Sequence, residues 1–314
     1  MSAYKCRICE NIENNRRVQL NATLYGTKGK FYYFICRRCG ALQICDVPDD
    51  IGKYYDTDHY YSFNMNKRGL KNELLYRELK QQYGESNIIG KLLCGIYPID
   101  YSFIKLLKRD NRILDIGCGE GQFLKWLKRL GYTKLYGLEP FIDEDIDSDG
   151  IQIMKTDVLG YEGNEKFDAV IMLHALEHIY EQQETVNKIY RILNDGGKLI
   201  IQIPFFSRYY WEKYGTDLYT LDPPRHFYIH TYKSLEHLMT SEGFKESYFG
   251  TEFDPAIPKM ARNIRIGHTE RNNGTGFISG TLESIKSRGL RKKLKDEKDG
   301  AIATFIFEKV KNEG

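Results

Sequence analysis

The stretch Ile113–Phe123, ILDIGCGEGQF, decides how the chain folds. A short apolar run leads into three glycines at alternate positions, Gly117, Gly119 and Gly121, and then into a helical pattern. A strand that turns through glycines into a helix start is a nucleotide-binding loop, because glycine lets a ligand lie against bare backbone with no Cβ in the way. The spacing excludes two common versions. A dinucleotide loop reads G-x-G-x-x-G, and its third glycine position holds Gln122 here, or Leu124 when the count starts at Gly119. The chain also has no G-x-x-x-x-G-K-[ST] phosphate loop.

Acidic residues surround the glycines. Asp115 lies in the strand before them, Glu139 closes the next strand in YGLEP, and Asp157 closes a third in KTDVL. Glu139 follows Gly117 by 22 positions, where a carboxylate can accept from both hydroxyls of a ribose. Asp157 is placed to reach the exocyclic amine of an adenine. Such a set suits a cationic ligand better than a pyrophosphate.

From residue 112 onward strand and helix patterns alternate: RILDIG, GQFLKWLKRLG, KLYGLEP, IQIMKTD, FDAVIML, a helix near 181–194 with Val186, Ile189 and Leu193 inward, and GGKLIIQIP. That alternation predicts a mostly parallel sheet with helices on both faces. Two late strands, FKESYFGTEF and ATFIFEKV, are separated by a basic insertion near 254–300. Upstream, KRGLKNELLYRELKQQYG predicts a helix with Leu70, Leu74, Leu75, Leu79 and Tyr83 on one side and Gly84 as its stop, and a second helix is expected over about 88–109.

The front of the chain reads as a metal unit. Cys6–Cys9 and Cys36–Cys39 are two C-x-x-C turns separated by a spacer of 26 residues, with the strand FYYFIC leading into the second. Each turn offers two thiolates from one tight loop, and two turns complete a tetrahedral zinc shell. Lys5, Arg7, Arg37 and Arg38 are placed to offset the negative charge of such a centre. Cys45, Cys94 and Cys118 are expected to be small buried residues. The expected organisation is a zinc-binding unit over 1–50, an aromatic loop and helical cap over 51–110, and a catalytic domain over 111–314.

Bulk composition sets the outer bounds. With 41% apolar residues and a mean hydropathy of -0.52, the chain can bury a sizeable core without staples. The net charge of +3 and the lack of a continuous basic stripe argue against nucleic acid as partner. No apolar h-region opens the sequence and no run approaches membrane-spanning length, so a cytoplasmic protein with reduced thiols is expected.

In their order, ILDIGCGEGQFL, YGLEP, KTDVL, FDAVIMLHALEHI and GGKLIIQIP resemble a class I S-adenosylmethionine-dependent methyltransferase. The resemblance covers about residues 105–253 and the final strand, and it implies a Rossmann-like fold with a seven-stranded sheet. The four cysteines, the aromatic YY segments and LDPPRHFYIHTYKSLEHLM are further similar to bacterial methyltransferases of sugar and polysaccharide biosynthesis, in which a zinc unit helps frame the acceptor site.

The resemblance implies roles residue by residue. Gly117, Gly119 and Gly121 pass under the methionine part and ribose, and Asp115 orients the methionine end. Glu139 takes the ribose hydroxyls, and Asp157 and Val158 frame the adenine. Leu173 and His174 face the transferring methyl. Methyl transfer to a hydroxyl or carbon acceptor needs a proton removed, for which His174 and His226 are the candidate bases and Tyr228 a poorer third. In DPPRHFYIH, Pro223 and Pro224 stiffen a loop that presents Arg225 as a phosphate or carboxylate fork beside His226.

His174, Glu177 and His178 spell H-x-x-E-H, a zinc-peptidase signature that requires both histidines on one helix. Here His174 follows a strand without a break, which argues against that reading. Some related methyltransferases hold a divalent metal near this place, but His174 stands where a carboxylate would be expected, so a local structural role for Glu177 and His178 is the expectation. The aromatic clusters Tyr54–Phe63 and Phe205–Tyr219 suit either stacking on a sugar or packing between subdomains, and Lys286–Gly300 either phosphate contact or a solvated helix face. The leading reading is a methyltransferase of a sugar or nucleotide-linked sugar. An RNA-modifying methyltransferase and a non-catalytic relative that keeps the fold stand as alternatives.

Overall fold

The computed structural model describes residues 4–22, 24, 28–55, 69–85, 88, 100–267 and 287–310. The front unit is an antiparallel hairpin of β1 (Arg16–Ala22) and β2 (Gly29–Ile35), followed by the short β3 (Leu42–Ile44). In β2 the FYYFIC pattern buries Tyr33 and Phe34, and β3 is buried throughout.

The alternation after residue 111 becomes an eight-stranded sheet. Its strands are β4 (Arg112–Ile116), β5 (Lys134–Leu138), β6 (Ile146–Ser148), β7 (Ile151–Met154), β8 (Phe167–Leu173), β9 (Leu193–Pro204), β11 (Phe244–Glu252) and β12 (Ile302–Lys309). Their order is β11-β12-β9-β8-β4-β5-β7-β6. β4, β5, β7, β8 and β9 run parallel, and β12 lies antiparallel between β9 and β11. β8 buries Phe167, Ala169, Val170, Ile171 and Met172 completely, as a parallel strand covered on both faces must. Among the described residues the helices are α1 (Gly69–Tyr83), α2 (Gln122–Arg129), α3 (Gln182–Ile192), α4 (Arg208–Tyr214), α5 (Tyr232–Thr240), α6 (Ile257–Arg265) and α7 (Arg288–Asp296), of which α2, α3, α5 and α7 pack against strands of the sheet. This is a Rossmann-like, mostly parallel α/β fold.

The strand order reverses beside β4, with β5 and β7 on one side and β8 and β9 on the other. At that reversal the carboxyl ends diverge and leave a crevice. β4 delivers the glycines to it and β8 delivers His174.

Several details differ from the sequence-based reading. An eighth strand, β6, arises because the chain doubles back at Asp149 and Gly150, both at positive φ, to pair with β7. Within the expected second helix, Ser102–Leu106 forms a single 3-10 turn, and residues 86, 87 and 89–99 lie outside the described residues. Leu193 opens β9 opposite Phe167 instead of ending the helix. The front unit also shares its sheet with the larger domain: β10 (Tyr228–Ile229) pairs with β3, Gln43 opposite Tyr228. Cys6, Tyr33 and Leu42 accordingly belong to the same packed core as Ile201 and Phe305.

Candidate active site

The glycine loop is shaped by backbone that only glycine accepts readily. Gly117, Gly119 and Gly121 have φ of 75°, 54° and 73°. A Cβ at Gly117 would stand 2.8 Å from the Ala175 Cβ, and one at Gly121 would stand 2.6 Å from Ile153 Cδ1. The Gly117 N–H donates to the Leu138 carbonyl at 2.8 Å, which pins the loop to the end of β5. Just beyond, Glu139 is buried, its Oε2 accepting from the Gly119 N–H at 2.9 Å and its Oε1 from the Phe141 N–H at 3.1 Å. The carboxylate is therefore held at the lip of the glycine loop in a fixed orientation.

Asp115 is buried beneath the loop, where desolvation and then the charge of Glu139 push its carboxyl up to about 8. Burial also raises Glu139, against the pull of the Gly119 and Phe141 N–H groups. Two desolvated acids side by side favour a ligand that brings positive charge. The cradle therefore fits the sulfonium and ammonium of S-adenosylmethionine, and the bare glycine backbone leaves it room. Asp157 lies exposed after β7, with Oδ1 accepting from the Gly160 N–H at 2.7 Å, whereas Val158 turns into the core.

At the end of β8, Leu173 is half-buried and His174 takes a positive φ of 56° while its N–H donates to the Gln202 carbonyl at 2.7 Å. A non-glycine residue in that region stores strain, a common property of residues that must present a side chain at a site. The chain then turns through a 3-10 helix, Leu176–His178, so the two histidines of H-x-x-E-H do not share a helix face. His174 Nδ1 stands 3.5 Å from Glu177 Oε1, too far for a strong hydrogen bond.

The 222–230 loop closes over this point. The Phe227 N–H donates to the Glu177 carbonyl at 2.8 Å, and the His178 and His226 rings meet edge to face at 4.7 Å. Glu177, His178 and His226 thereby converge, with one donor atom from each within 4.8 Å of the others. Burial and the neighbouring His226 push His178 down to about 4, so it is neutral across the ordinary pH range. Arg225, expected to offer an open fork, is instead buried: it pairs through both Nε and Nη2 with Asp222 and donates from Nη1 to the Tyr54 carbonyl. The short Asp222-to-Arg225 spacing lets the acid reach the guanidinium before any ligand does. Tyr228 is also committed, with its hydroxyl donating to the Tyr180 carbonyl and accepting from Arg7 Nε.

The front unit reaches this loop directly. The Tyr33 hydroxyl donates to the His226 carbonyl at 2.9 Å, and Thr231 Oγ1 donates to the Cys39 carbonyl at 2.5 Å. The sulfurs of Cys6 and Cys39 lie 3.6 Å apart and those of Cys9 and Cys36 3.5 Å apart, all four buried. Tetrahedral zinc with bonds of about 2.3 Å places its sulfurs roughly 3.8 Å apart, so the set fits. Three of the four expected basic residues, Lys5, Arg7 and Arg38, have other partners. Gln43 Nε2 donates to Cys6 Sγ at 2.9 Å, while Arg7 stacks over Tyr180 and Tyr228, Arg38 holds the Cys9 carbonyl, and Lys5 pairs with Glu10. Cys45 and Cys118 are only half-buried, and Cys94 lies outside the described residues.

Some of these residues carried no sequence signal. Tyr33 and Gln43 act through atoms that only the β3–β10 pairing brings close. Tyr55 stood out only as one ring of an aromatic run. It stacks on Phe141 at 5.3 Å, and its hydroxyl reaches His178 Nδ1 at 3.2 Å, linking the lip of the glycine loop to the histidines. Most of that run, residues 56–63, lies outside the described residues. The second cluster is packing: Phe205 and Tyr210 are buried and Tyr210 stacks on Tyr214. The basic stretch forms α7, amphipathic with Leu294 buried and its lysines exposed.

Residues 99–246 match the family described as Methyltransferase domain. A ubiquinone biosynthesis O-methyltransferase of Xanthomonas oryzae is 28% identical over 142 residues, covering 40% of this chain and 57% of that protein. A tRNA U34 carboxymethyltransferase of Campylobacter hominis is 28% identical over 110 residues, covering 31% of this chain and 37% of that protein. The chain thus spans little more than half the length of the first of these relatives and about a third of the second. The tRNA relative weakens the argument from net charge against nucleic acid. A solved S-adenosylmethionine-dependent methyltransferase from Mesorhizobium loti aligns over 68% of this chain and 97% of its own, at 15% identity and a TM-score of 0.44. No helix among the described residues is long and apolar enough to cross a membrane. The family match, the strand order and the acidic glycine cradle make residues 99–246 a class I, S-adenosylmethionine-dependent methyltransferase domain.

Proposed function

We propose that the whole chain transfers a methyl group from S-adenosylmethionine to an oxygen or carbon of a small-molecule acceptor, a sugar or nucleotide-linked sugar. The observation that carries the cofactor half is Glu139, held by the Gly119 and Phe141 N–H groups beside the loop, with the uncompensated Asp115 beneath it. When bound, S-adenosylmethionine supplies the electrophilic methyl carbon. The protein supplies alignment. The glycines let the cofactor lie flat, Glu139 takes the ribose hydroxyls, and Asp115 faces the positive end. His226 and His174 flank the place where an acceptor proton would leave. The exposed Phe141 ring stacked with Tyr55 at the mouth suits the face of a sugar. Cys6, Cys9, Cys36 and Cys39 hold one structural zinc, and the protein acts in the cytoplasm.

Calorimetry with S-adenosylmethionine and with NAD tests the cofactor. NAD binding without S-adenosylmethionine binding defeats the proposal. Turnover on a nucleotide-sugar panel, with tRNA as the competing panel in view of the tRNA-modifying relative, tests the acceptor. Methylation of tRNA alone replaces the saccharide half, and cofactor binding with no turnover on any panel favours a non-catalytic relative.

A further inference from the structure

One face of the sheet turns polar at its carboxyl edge. Ile113, Ile200 and Ile306 pack on that face with Tyr101, and two residues along from the first two, on the same side, stand the buried Asp115 and Gln202. Gln202 lies opposite Thr304 of β12, and its Nε2 donates to Thr304 Oγ1 at 3.0 Å and to the Asp100 carbonyl at 3.3 Å. Thr304 Oγ1 in turn donates to Glu252 Oε1 at the end of β11, at 3.4 Å, and the Tyr248 hydroxyl donates to Asp100 Oδ2 at 3.2 Å. Gln202 also ties this patch to the end of β8, because its carbonyl accepts from the His174 N–H at 2.7 Å.

Helix α1 faces the patch. Gln82 Oε1 accepts from the Tyr101 N–H at 2.5 Å, and Glu78, one turn earlier, lies on the same side of the helix. Glu78 is 1% exposed, and neither of its carboxylate oxygens has a hydrogen-bond partner. A buried carboxylate left this way is costly unless a positive group reaches it. Burial pushes Glu78 up to about 8, with Arg291 and Gln82 pulling the other way from a distance. Burial and then Asp100 push Glu252 up to about 8. Tyr101 stands between the two acids: burial, then Glu78, then Glu252 raise its hydroxyl.

Two ready occupants do not fit. Neighbouring strands lie about 4.8 Å apart, so Glu252 on β11 is roughly 19 Å across the sheet from Asp115 on β4. The ammonium of S-adenosylmethionine, held at Asp115, leaves Glu252 unserved. Among the described residues these acids also do not converge as the ligands of one metal ion would.

We propose that Glu78, Asp100 and Glu252, gathered around Tyr101, form a subsite for a protonated amine carried by the acceptor. An ammonium brings both the charge and several N–H donors, so it can bond more than one carboxylate at once. The subsite rests on the methyl-transfer reading and narrows its acceptor to one with a free amino group, such as an amino sugar.

The test is calorimetry on the full chain with S-adenosylhomocysteine present. Two pairs of probes are compared: uridine diphosphate glucosamine with its N-acetyl form, and tyramine with N-acetyltyramine as a pair without a sugar. Acetylation removes the positive charge in each. Wild-type protein should bind an amine at least ten-fold tighter than its acetyl partner in one pair or both. Glu78→Gln and Glu252→Gln should each cut that preference at least five-fold while leaving the acetyl form and S-adenosylmethionine bound as before, which also shows that the variants fold. A preference confined to tyramine keeps the subsite and removes the saccharide acceptor. Equal binding within both pairs, no binding of any probe, equal loss of amine and acetyl forms in the variants, or a preference that both variants retain overturns the subsite. S-adenosylmethionine affinity, measured alongside, decides the methyl-transfer reading separately.

Discussion

Gly117→Ala is the sharpest test of the glycine cradle. The residue has φ of 75°, where any L side chain costs about 1–2 kcal/mol. The new Cβ would also stand 2.8 Å from the Ala175 Cβ. Carbon atoms pack best at about 3.5–4.0 Å, so nearly an ångström must be found. Neither partner has a rotamer to change, and relief requires moving the backbone between β8 and Glu177. Overpacking of this kind costs about 1–3 kcal/mol, which brings the total to about 2–5 kcal/mol. Ala175→Gly removes the opposing carbon, so the double variant should recover the packing part and keep the φ part. Denaturant midpoints of the four proteins give the coupling, expected at about 1–3 kcal/mol. Calorimetry should show S-adenosylmethionine affinity falling in Gly117→Ala and partly returning in the double variant. A single variant within about 0.5 kcal/mol of wild type, or additivity with Ala175→Gly, would refute the reasoning.

Glu139→Ala should weaken S-adenosylmethionine binding by about 1.5–3 kcal/mol through lost charge-assisted hydrogen bonds, measured by calorimetry. Asp115 titrates at about 8 in the fold and near 3.9 unfolded, so the folded chain holds the proton more tightly. Stability of the cofactor-free protein should therefore fall as pH rises from about 4 to about 8, by up to about 1.4 kcal/mol per pH unit per group. Glu78 and Glu252, also pushed up to about 8 by burial, act in the same direction, so Asp115→Asn should flatten the slope of stability against pH without abolishing it. Cys36→Ser should abolish zinc binding and, because β10 pairs with β3, raise hydrogen exchange at Tyr228 and Ile229 as well as in the front unit; protection unchanged at those two residues would count against the coupling. His226→Ala should lower turnover while cofactor affinity stays within about 0.5 kcal/mol, and equal losses in both would assign it to cofactor binding.

The parallel core was legible because its signals are local. The apolar run of β8 and the glycines after β4 each declare themselves within a dozen residues. The paired C-x-x-C turns did so too, since each turn alone presents two thiols. What sequence could not supply was pairing across distance. Arg225 reads as an open fork until Asp222 is seen to close it, and nothing in the YIH of DPPRHFYIH says that its backbone completes a sheet begun at Arg16. The Glu177 cluster was half-visible: H-x-x-E-H placed two of its members side by side, but His226 arrives from another element. The unpartnered Glu78 carboxylate is a property of the packed interior.

The pairing of β3 with β10 has a consequence for synthesis. The front hairpin leaves the ribosome early, yet the strand that covers its edge is made only after most of the sheet. Until Tyr228 emerges, Leu42–Ile44 presents open backbone hydrogen-bonding groups and apolar side chains that are fully buried in the finished protein. An exposed, apolar strand edge invites pairing with other nascent chains. Early metal capture by the cysteine turns would hold the hairpin in shape during that wait, while chains starved of zinc would meet their neighbours with the edge unguarded.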